Sequence, residues 1–340
     1  MKHRHFSHRL SLFAGLLSLL CAVTAAWALS GKIIEFPVPT ANSGPFGITA
    51  GPDGNLWFTE AGFTLGGVTG GGHKIGRITT AGSITEFSIP TAGSFPVGIT
   101  AGPDGNLWFI EALTGNIGRI TTTGVVTEFP TPFTGFEGSF PFGTITPGSD
   151  GALWFVLSNA NVHNNNIGRI TTAGAFTAFP VPTANSEPFV ITAGPDGALW
   201  FTELNANKIG RITTAGVITE FSIPTANSGP AGITAGPDGA LWFTETGGDK
   251  VGRITTAGVI TEFPVTAGSA PAFITAGPDG NLWFIEFNSN KIGRFSPTPS
   301  HKLSEFPVPT ANSEPFGITE GPDGNIWFTE NAGNKIGLLH

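Results

Sequence analysis

Seven copies of one segment, each about 44 residues long, make up nearly all of the chain after residue 31. Each copy runs roughly G-I-T-A-G-P-D-G-N-L-W-F-T-E, a variable loop, N-K-I-G-R-I-T-T-A-G and V-I-T-E-F-P-V-P-T-A-N-S-G-P. One tryptophan marks each copy: Trp57, Trp108, Trp154, Trp200, Trp242, Trp283 and Trp327. Repeats of this length are typical of β-propellers, in which every repeat supplies one sheet to a closed ring.

Each copy is predicted to form four short antiparallel strands. In the fifth copy we place them at residues 232–235, 240–245, 250–256 and 259–264. Pro-Asp-Gly and Ala-Gly separate neighbouring strands, and these residues suit tight hairpin turns. No helical periodicity is present, which excludes a helical repeat. The predicted fold class is therefore all-β, a seven-bladed β-propeller with four antiparallel strands per blade.

The two ends of the repeat region complete one another. Residues 33–38 have the pattern of a fourth strand with no blade before it, and residues 335–338 have that of a third strand with no fourth after it. We expect the N-terminal strand 33–38 to join the C-terminal blade, which closes the ring and removes an open sheet edge.

Residues 1–28 are predicted to be a signal peptide. Basic residues at the start precede an apolar run from Leu10 to Leu20, and Ala26-Trp27-Ala28 gives the small-residue pattern of a cleavage site. An uncleaved membrane anchor is the alternative. Cleavage predicts a secreted or periplasmic protein with no membrane span, in which residues 29–340 form a single propeller domain. We expect a monomer.

Composition narrows the range of partners. The net charge is −8 at pH 7, and removing Lys2, Arg4 and Arg9 with the signal leaves 13 basic against 24 acidic residues. Nucleic acid is excluded as a partner, because phosphate binding needs a basic surface. No nucleotide fingerprint is present, and we expect neither a nucleotide nor a haem cofactor. Cys21 is the only cysteine, so the mature chain is expected to lack disulfides.

The arginine of I-G-R-I is assigned to sheet pairing rather than to substrate. If Ala-Gly is a two-residue turn, Arg211 lies opposite Glu220 across the hairpin. The same spacing predicts the pairs Arg77–Glu86, Arg119–Glu128 and Arg253–Glu262, and leaves Arg169 opposite Ala178 without a carboxylate.

The glutamate that ends W-F-x-E is the candidate metal ligand. Six copies carry it, whereas the third has Leu157 instead: Glu60, Glu111, Glu203, Glu245, Glu286 and Glu330. A partial ring of carboxylates at one end of the channel would suit a hard cation such as Mg²⁺ or Ca²⁺. The alternative is that each glutamate accepts hydrogen bonds from the loop of its own blade.

Departures from the repeat give the other candidate site residues. His73 and His163 lie in insertions between second and third strands and are the candidate catalytic residues, as bases or metal ligands. Phe189, Phe273, Glu187 and Glu320 also break the repeat and are the candidate ligand-binding residues. Different groups converging on one substrate must come from such departures, since identical blades supply the same group repeatedly.

The segments G-P-D-G-N-L-W-F-T-E (51–60) and K-I-G-R-I-T-T-A-G (208–216) resemble those of the virginiamycin B lyase family, the streptogramin lyase propellers. This resemblance implies a lyase that opens a cyclic depsipeptide at its ester, with Mg²⁺, a catalytic histidine and acidic residues. The acidic residues would correspond to Glu245, Glu286 and Glu330. The family's histidine positions correspond to residues that cannot transfer a proton: Gly47, Gly98, Thr144, Val190, Gly232, Phe273 and Gly317.

Three functions remain open from the sequence. The favoured one is binding of a small molecule, glycan or protein at the channel mouth. The second is an enzyme, either a Mg²⁺-dependent lyase or a lactone hydrolase of gluconolactonase type. The third is a structural surface protein.

Overall fold

The computed structural model describes residues 31–340 except 65–66, 69, 71, 133–142 and 160–163. The predicted signal peptide lies outside the described residues. The described residues form seven four-stranded antiparallel sheets. Each sheet follows the chain order, except that a small hairpin interrupts the first and the N-terminal strand completes the last. The predicted seven-bladed propeller is confirmed. We number the blades 1 to 7 by their tryptophans, from Trp57 to Trp327.

The first strand of each blade lines the centre of the ring. These strands are Pro45–Ala50, Pro96–Ala101, Ile145–Pro147, Pro188–Ala193, Pro230–Ala235, Pro271–Ala276 and Pro315–Glu320. The second strands are Leu56–Glu60, Leu107–Glu111, Leu153–Asn159, Leu199–Glu203, Leu241–Glu245, Leu282–Glu286 and Ile326–Glu330. A two-stranded hairpin, Phe63–Thr64 with Gly67–Val68, lies in the insertion of blade 1.

The third and fourth strands complete each blade towards the outside. The third strands are Lys74–Ile78, Asn116–Ile120, Asn164–Ile170, Lys208–Ile212, Lys250–Ile254, Lys291–Phe295 and Lys335–Leu339. The fourth strands are Ile84–Ser88, Val126–Pro130, Phe176–Pro180, Ile218–Ser222, Ile260–Pro264, Leu303–Pro307 and, for blade 7, Ile33–Pro37. Several fourth strands end in proline, which fits an outer edge because proline has no N–H to pair.

The closing strand is the N-terminal one, as predicted. Ile33–Pro37 pairs antiparallel with Lys335–Leu339, and Ile33 lies opposite Leu339. The connectors that lead from each fourth strand to the next blade lie at the same end of the ring as the W-F-x-E glutamates. We call this end the glutamate end, and the opposite end, with the Pro-Asp-Gly hairpins, the turn end.

The predicted arginine–glutamate pairs are wrong by one residue of register. Arg211 lies opposite Thr219, whereas Glu220 lies opposite Gly210. The hairpin loop contains three residues rather than two, because Gly216 adopts a φ of +87° and its N–H donates to the carbonyl of Thr213 at 2.8 Å. A turn followed by one left-handed glycine adds a bulge residue and shifts the pairing.

Each arginine pairs instead with the aspartate of its own Pro-Asp-Gly turn. Arg211 contacts Asp196 at 2.7 Å, and its guanidinium lies over the ring of Trp200. The indole N–H of Trp200 donates to the same aspartate at 3.0 Å. Arg169, predicted to lack a carboxylate, pairs with Asp150 at 2.7 Å. The shifted register also applies to Arg77, Arg119 and Arg253.

The core lies between blades, where the seven tryptophans are fully buried. In several blades, the buried threonine of W-F-T-E forms a hydrogen bond to the first strand of the neighbouring blade. In blade 4 the hydroxyl of Thr202 accepts from the N–H of Val190 at 3.1 Å and donates to the carbonyl of Ala231 in blade 5 at 2.8 Å. This contact fixes the spacing of the first strands around the channel. Within the described ranges, no helix is long and apolar enough to cross a membrane.

Candidate functional site

A cavity of about 240 Å³ lies in the channel, lined by residues of the first strands. It lies nearer the glutamate end, because its walls come from the early residues of those strands. Six of the seven innermost positions singled out from the sequence line it: Gly47, Gly98, Thr144, Val190, Phe273 and Gly317. The described residues that line it carry no acidic, basic or imidazole side chain.

The glycines at these positions let neighbouring first strands approach closely. A Cβ atom on Gly47 would lie 2.5 Å from the carbonyl oxygen of Val97, and one on Gly98 would lie 2.5 Å from that of Gly143. Gly232, the seventh position, packs against blade 6 in the same way. A larger side chain here would have to push two blades apart, so the backbone geometry of these blades opposes a histidine at this level.

Thr144 and Val190 show what a side chain does at the same level. The hydroxyl of Thr144 accepts from the N–H of Ile191 at 2.8 Å, which ties blade 3 to blade 4. Val190 is buried in the apolar cluster between blades 4 and 5. Both side chains are therefore engaged in contacts between blades.

Phenylalanines cover one side of the cavity. The ring centroids of Phe46 and Phe316 lie 3.8 Å apart, those of Phe316 and Phe273 lie 4.6 Å apart, and Phe189 follows at 5.9 Å from Phe273. Phe46, Phe273 and Phe316 line the cavity itself. We call these four residues the aromatic arc. The opposite side, where blades 2 and 3 contribute Gly98, Gly143 and Thr144, presents backbone and one hydroxyl.

The four predicted ligand-binding residues do not meet at one place. Phe189 and Phe273 belong to the aromatic arc. Glu187 precedes the first strand of blade 4 at the glutamate end, whereas Glu320 ends the first strand of blade 7 at the turn end. A six-residue strand spans roughly 20 Å, so the two carboxylates lie at opposite ends of the channel. Burial raises the pKa of Glu187, and burial together with nearby Asp279 raises the pKa of Glu320.

Glu187 has an unusual backbone conformation. Its φ is +52°, which L-residues rarely adopt, and the equivalent residues of blades 1 and 5 are Gly44 and Gly229 with φ of +56° and +59°. Ala270 occupies the equivalent place in blade 6 with a φ of +50°. The repeat therefore imposes a left-handed residue at the channel mouth, whichever amino acid is present.

His73 occupies a position that the repeat uses for asparagine. Asn207, at the equivalent place in blade 4, accepts a hydrogen bond from the N–H of Ser228 at 2.7 Å and so holds the connector to the next blade. Nδ1 of His73 accepts from the N–H of Phe95, on the corresponding connector, at 3.4 Å. Burial lowers the pKa of His73, which favours the neutral acceptor form. His163 lies outside the described residues.

The six candidate metal ligands are buried within their own blades. All six glutamates are fully inaccessible to solvent, and none lines the cavity. Glu203 lies opposite Lys208 of the third strand, and the same pairing recurs in blades 1, 5, 6 and 7, whereas Glu111 of blade 2 lies opposite Asn116. Among the residues that the structure describes, no three His, Cys, Asp or Glu side chains are grouped so as to hold a metal ion. The Mg²⁺ or Ca²⁺ site stays a prediction that these side-chain positions do not favour.

Burial raises the pKa of each of these glutamates: to about 8 for Glu60, Glu203 and Glu330, and to about 7 for Glu111, Glu245 and Glu286. A second glutamate on the fourth strand adds to the rise, as Glu220 does for Glu203. Glu220 itself pairs with Lys208 at 3.1 Å and accepts from the N–H of Thr183, on the preceding connector, at 3.0 Å. The charged groups nearest Glu203 are thus Lys208 and Glu220, and these two form an ion pair with each other within the blade.

The chain is similar to known lyases over most of its length. The model of the virginiamycin B lyase family matches residues 68–162 and 138–340. A streptogramin B lyase structure is 39% identical, with a TM-score of 0.81, over 91% of this chain and 97% of that one. The structure of a catalytically inactive histidine-to-alanine virginiamycin B lyase from Staphylococcus aureus with quinupristin is 41% identical, with a TM-score of 0.79, over 91% and 98%.

The sequence match to curated relatives is shorter. Virginiamycin B lyase of Bordetella bronchiseptica is 35% identical over 71 residues, which is 21% of each chain. The matched segment therefore spans about a fifth of that relative's length.

Proposed function

The chain belongs to the virginiamycin B lyase family, and we propose that it is a binding propeller whose channel holds an apolar, ring-bearing small molecule against the aromatic arc. The observation that carries this proposal is the cavity itself. Three phenylalanines line one side of it, and no described residue of its lining can act as a general base. Small-molecule sites are commonly apolar clefts with a few polar groups that fix orientation, and Thr192 and Thr234 are polar residues of this lining.

The relatives indicate a ligand to try first. Quinupristin was bound to the inactive Staphylococcus aureus enzyme, which is 41% identical to this chain. The cavity, at about 240 Å³, is smaller than the 300–1,000 Å³ usual for drug-sized ligands. We therefore infer that a ring of the ligand enters the channel and that the rest of the ligand lies over the mouth at the glutamate end.

The second candidate function is lyase activity, which is favoured by the similarity to lyases over nearly their whole length. Elimination beside an ester needs a base placed against the C–H bond, and such a base typically contributes 10²–10⁴-fold to the rate. His73 is engaged with the connector to blade 2, and the described glutamates lie outside the cavity. Among the described residues, no side chain that lines the cavity supplies that base.

The described residues also do not present a site for the Mg²⁺ that the family resemblance implies. We further propose that the protein is exported, on the basis of the signal pattern in residues 1–28. N-terminal sequencing of protein from the culture medium or periplasm, with a start near residue 29, is the expected result.

One experiment separates the functions. Purified protein is incubated with quinupristin, with and without Mg²⁺, and binding is measured by calorimetry while the ligand is followed by chromatography and mass spectrometry. We expect binding without turnover, weakened at least tenfold in Phe273→Ala. The matched control, Val259→Ala, changes an exposed valine of blade 5 and should bind as the parent does.

Three other outcomes would contradict the proposal. Steady conversion to a product of unchanged mass would establish the lyase, because elimination adds no water. A product heavier by one water would establish an ester hydrolase. No binding of quinupristin would leave the aromatic arc without the proposed role and favour a structural surface protein.

A further inference from the structure

The channel cavity is deepest on the side of blades 4 and 5. There its lining reaches Thr192 and Thr234, whereas on the other five blades it ends at the isoleucine one residue earlier in the first strand. Thr192 and Thr234 are the fifth residues of their strands, and Phe273 of the aromatic arc is the third residue of its own. Two residues of a strand span roughly 7 Å. The two threonines therefore form the inner end of the cavity, beyond the aromatic arc and towards the turn end.

Each of these threonines lies at the channel end of a face that is otherwise closed. Thr192 lies directly opposite Trp200 of the second strand, and Thr234 lies opposite Trp242. Residues directly opposite in an antiparallel pair share one face of the sheet, and both tryptophans are fully buried between blades. The threonines thus have a buried indole on one side and the channel on the other, which agrees with their being half-buried.

The hydroxyls of Thr192 and Thr234 have no hydrogen-bond partner within the described part of the chain. The equivalent threonines of blades 1, 6 and 7 differ, because each hydroxyl donates to the carbonyl of the next residue, at 3.4 Å for Thr49, 3.3 Å for Thr275 and 3.2 Å for Thr319. A hydroxyl is both a donor and an acceptor. Two such groups at the inner end of one cavity can therefore hold a single polar group of a ligand.

The rest of the lining restricts the kind of ligand group that fits. No described residue of the lining is charged, and burying an unpaired carboxylate or ammonium group costs far more than burying a neutral one. A sugar ring would bring several hydroxyls into this cavity, where the remaining hydroxyl, that of Thr144, already accepts from the N–H of Ile191. Each sugar hydroxyl left without a partner would oppose binding. A flat apolar ring with one neutral polar group meets both restrictions.

We propose that the channel selects a neutral aromatic ring carrying one hydroxyl group, a phenol, and that Thr192 and Thr234 recognise this hydroxyl. The inference rests on the binding function proposed above and specifies which part of the ligand enters the channel. The ring lies against Phe273 and Phe316, and its hydroxyl points towards the turn end. The cavity of about 240 Å³ has room for one such ring, since an apolar cavity of about 150 Å³ can hold benzene.

Two probes of the same shape test this inference. Para-fluorophenol and para-fluorotoluene differ only in a hydroxyl and a methyl group, and fluorine NMR titration gives the Kd of each. Both are titrated into the parent protein and into the double variant Thr192→Val/Thr234→Val, which keeps the shape of the two side chains and removes both hydroxyls. We expect the double substitution to weaken para-fluorophenol about tenfold relative to para-fluorotoluene. Comparing the two probes cancels the general affinity of an apolar cavity for an apolar ring.

Thr49→Val is the matched control. It removes the equivalent hydroxyl of blade 1, which is bonded within its own strand and does not line the cavity, so the ratio of the two Kd values should stay as in the parent. An equal ratio in the parent and the double variant would overturn the inference.

The outcomes also separate this inference from the binding function on which it rests. If both probes bind and both weaken in Phe273→Ala, but the ratio ignores the threonines, the binding function stands and recognition of the hydroxyl is refuted. If neither probe binds, both proposals fail. If the double variant does not fold, nuclear Overhauser effects in the parent decide: contacts from the methyl groups of Thr192 and Thr234 to the ring protons beside the hydroxyl are expected, and their absence in the complex refutes the inference.

Discussion

Replacing Thr202 by valine tests how neighbouring blades are joined around the channel. The first strand of blade 4 has a register shift between Pro188 and Ile191, and the N–H of Val190 within it donates to the hydroxyl of Thr202 at 3.1 Å. The same hydroxyl donates to the carbonyl of Ala231 in blade 5 at 2.8 Å. Valine keeps the shape of threonine and removes both hydrogen bonds.

The magnitude follows from those two contacts. Each neutral hydrogen bond contributes about 0.5–1.5 kcal/mol, and a buried partner left unpaired costs about 1–3 kcal/mol. We expect Thr202→Val to lower the free energy of unfolding by about 2–4 kcal/mol. We expect no steric strain from valine at position 202, because blades 2 and 6 accommodate the larger side chains of Ile110 and Ile285 at the equivalent position.

Urea denaturation measures the loss, and Thr219→Val in the exposed fourth strand of the same blade is the control. A surface change of this kind is expected to stay within about 0.5 kcal/mol. Equal effects of the two substitutions would refute the role given to the buried hydroxyl. A changed urea dependence together with the midpoint would show that the blades separate in steps rather than together.

Removing residues 31–37 exposes the third strand of blade 7 as an open edge, so we expect a much lower melting temperature and association visible by light scattering; an unchanged melting temperature would contradict ring closure. Ala270→Gly relieves a left-handed backbone conformation and should raise stability by up to about 1 kcal/mol, whereas a loss would show that the alanine side chain is needed. Calorimetry with Mg²⁺ and Ca²⁺ tests the predicted cation site. Because Glu245 is buried in its own blade, we expect any heat to be the same in Glu245→Gln, and its loss would place the cation there.

The architecture could be predicted because its signals are local. The tryptophan of each copy, the Pro-Asp-Gly turn and the strand-length apolar segments recur in every blade, and each signal needs only a few neighbouring residues. The orphan strand near residue 33 predicted closure for the same reason. The signals repeat seven times, so an error in one copy is corrected by the others.

Register could not be predicted from the same signals. An Ala-Gly pair fits a two-residue turn, whereas the structure uses a three-residue loop ending at Gly216. One added residue moves the partner of Arg211 from Glu220 to Asp196. Asp196 was visible in the sequence, but its pairing with Arg211 depends on the register that the left-handed φ of Gly216 sets.

The candidate site was predicted in part. Six of the seven innermost positions line the channel cavity, and they could be found because they precede a recognisable Ile-Thr pair in each first strand. His73 was assigned to an insertion, although it takes the place of Asn207 and its equivalents. The Lys-Ile-Gly that follows His73 was the sequence signal that could have shown this, and the left-handed φ of His73 (+70°), like that of Asn207 (+56°), agrees with it.

The pairing of Ile33 with Leu339 also has a consequence for how the protein folds. The first strand to leave the ribosome has its partner in the last blade to be made. Blades 1 to 6 can form from neighbouring strands during synthesis, but closure brings together residues about 300 positions apart, and such distant contacts form slowly. Until then the last blade has an unpaired edge, and partly folded chains with open edges readily associate. The yield of folded protein should therefore depend on chain concentration during this interval more than on the stability of any single blade.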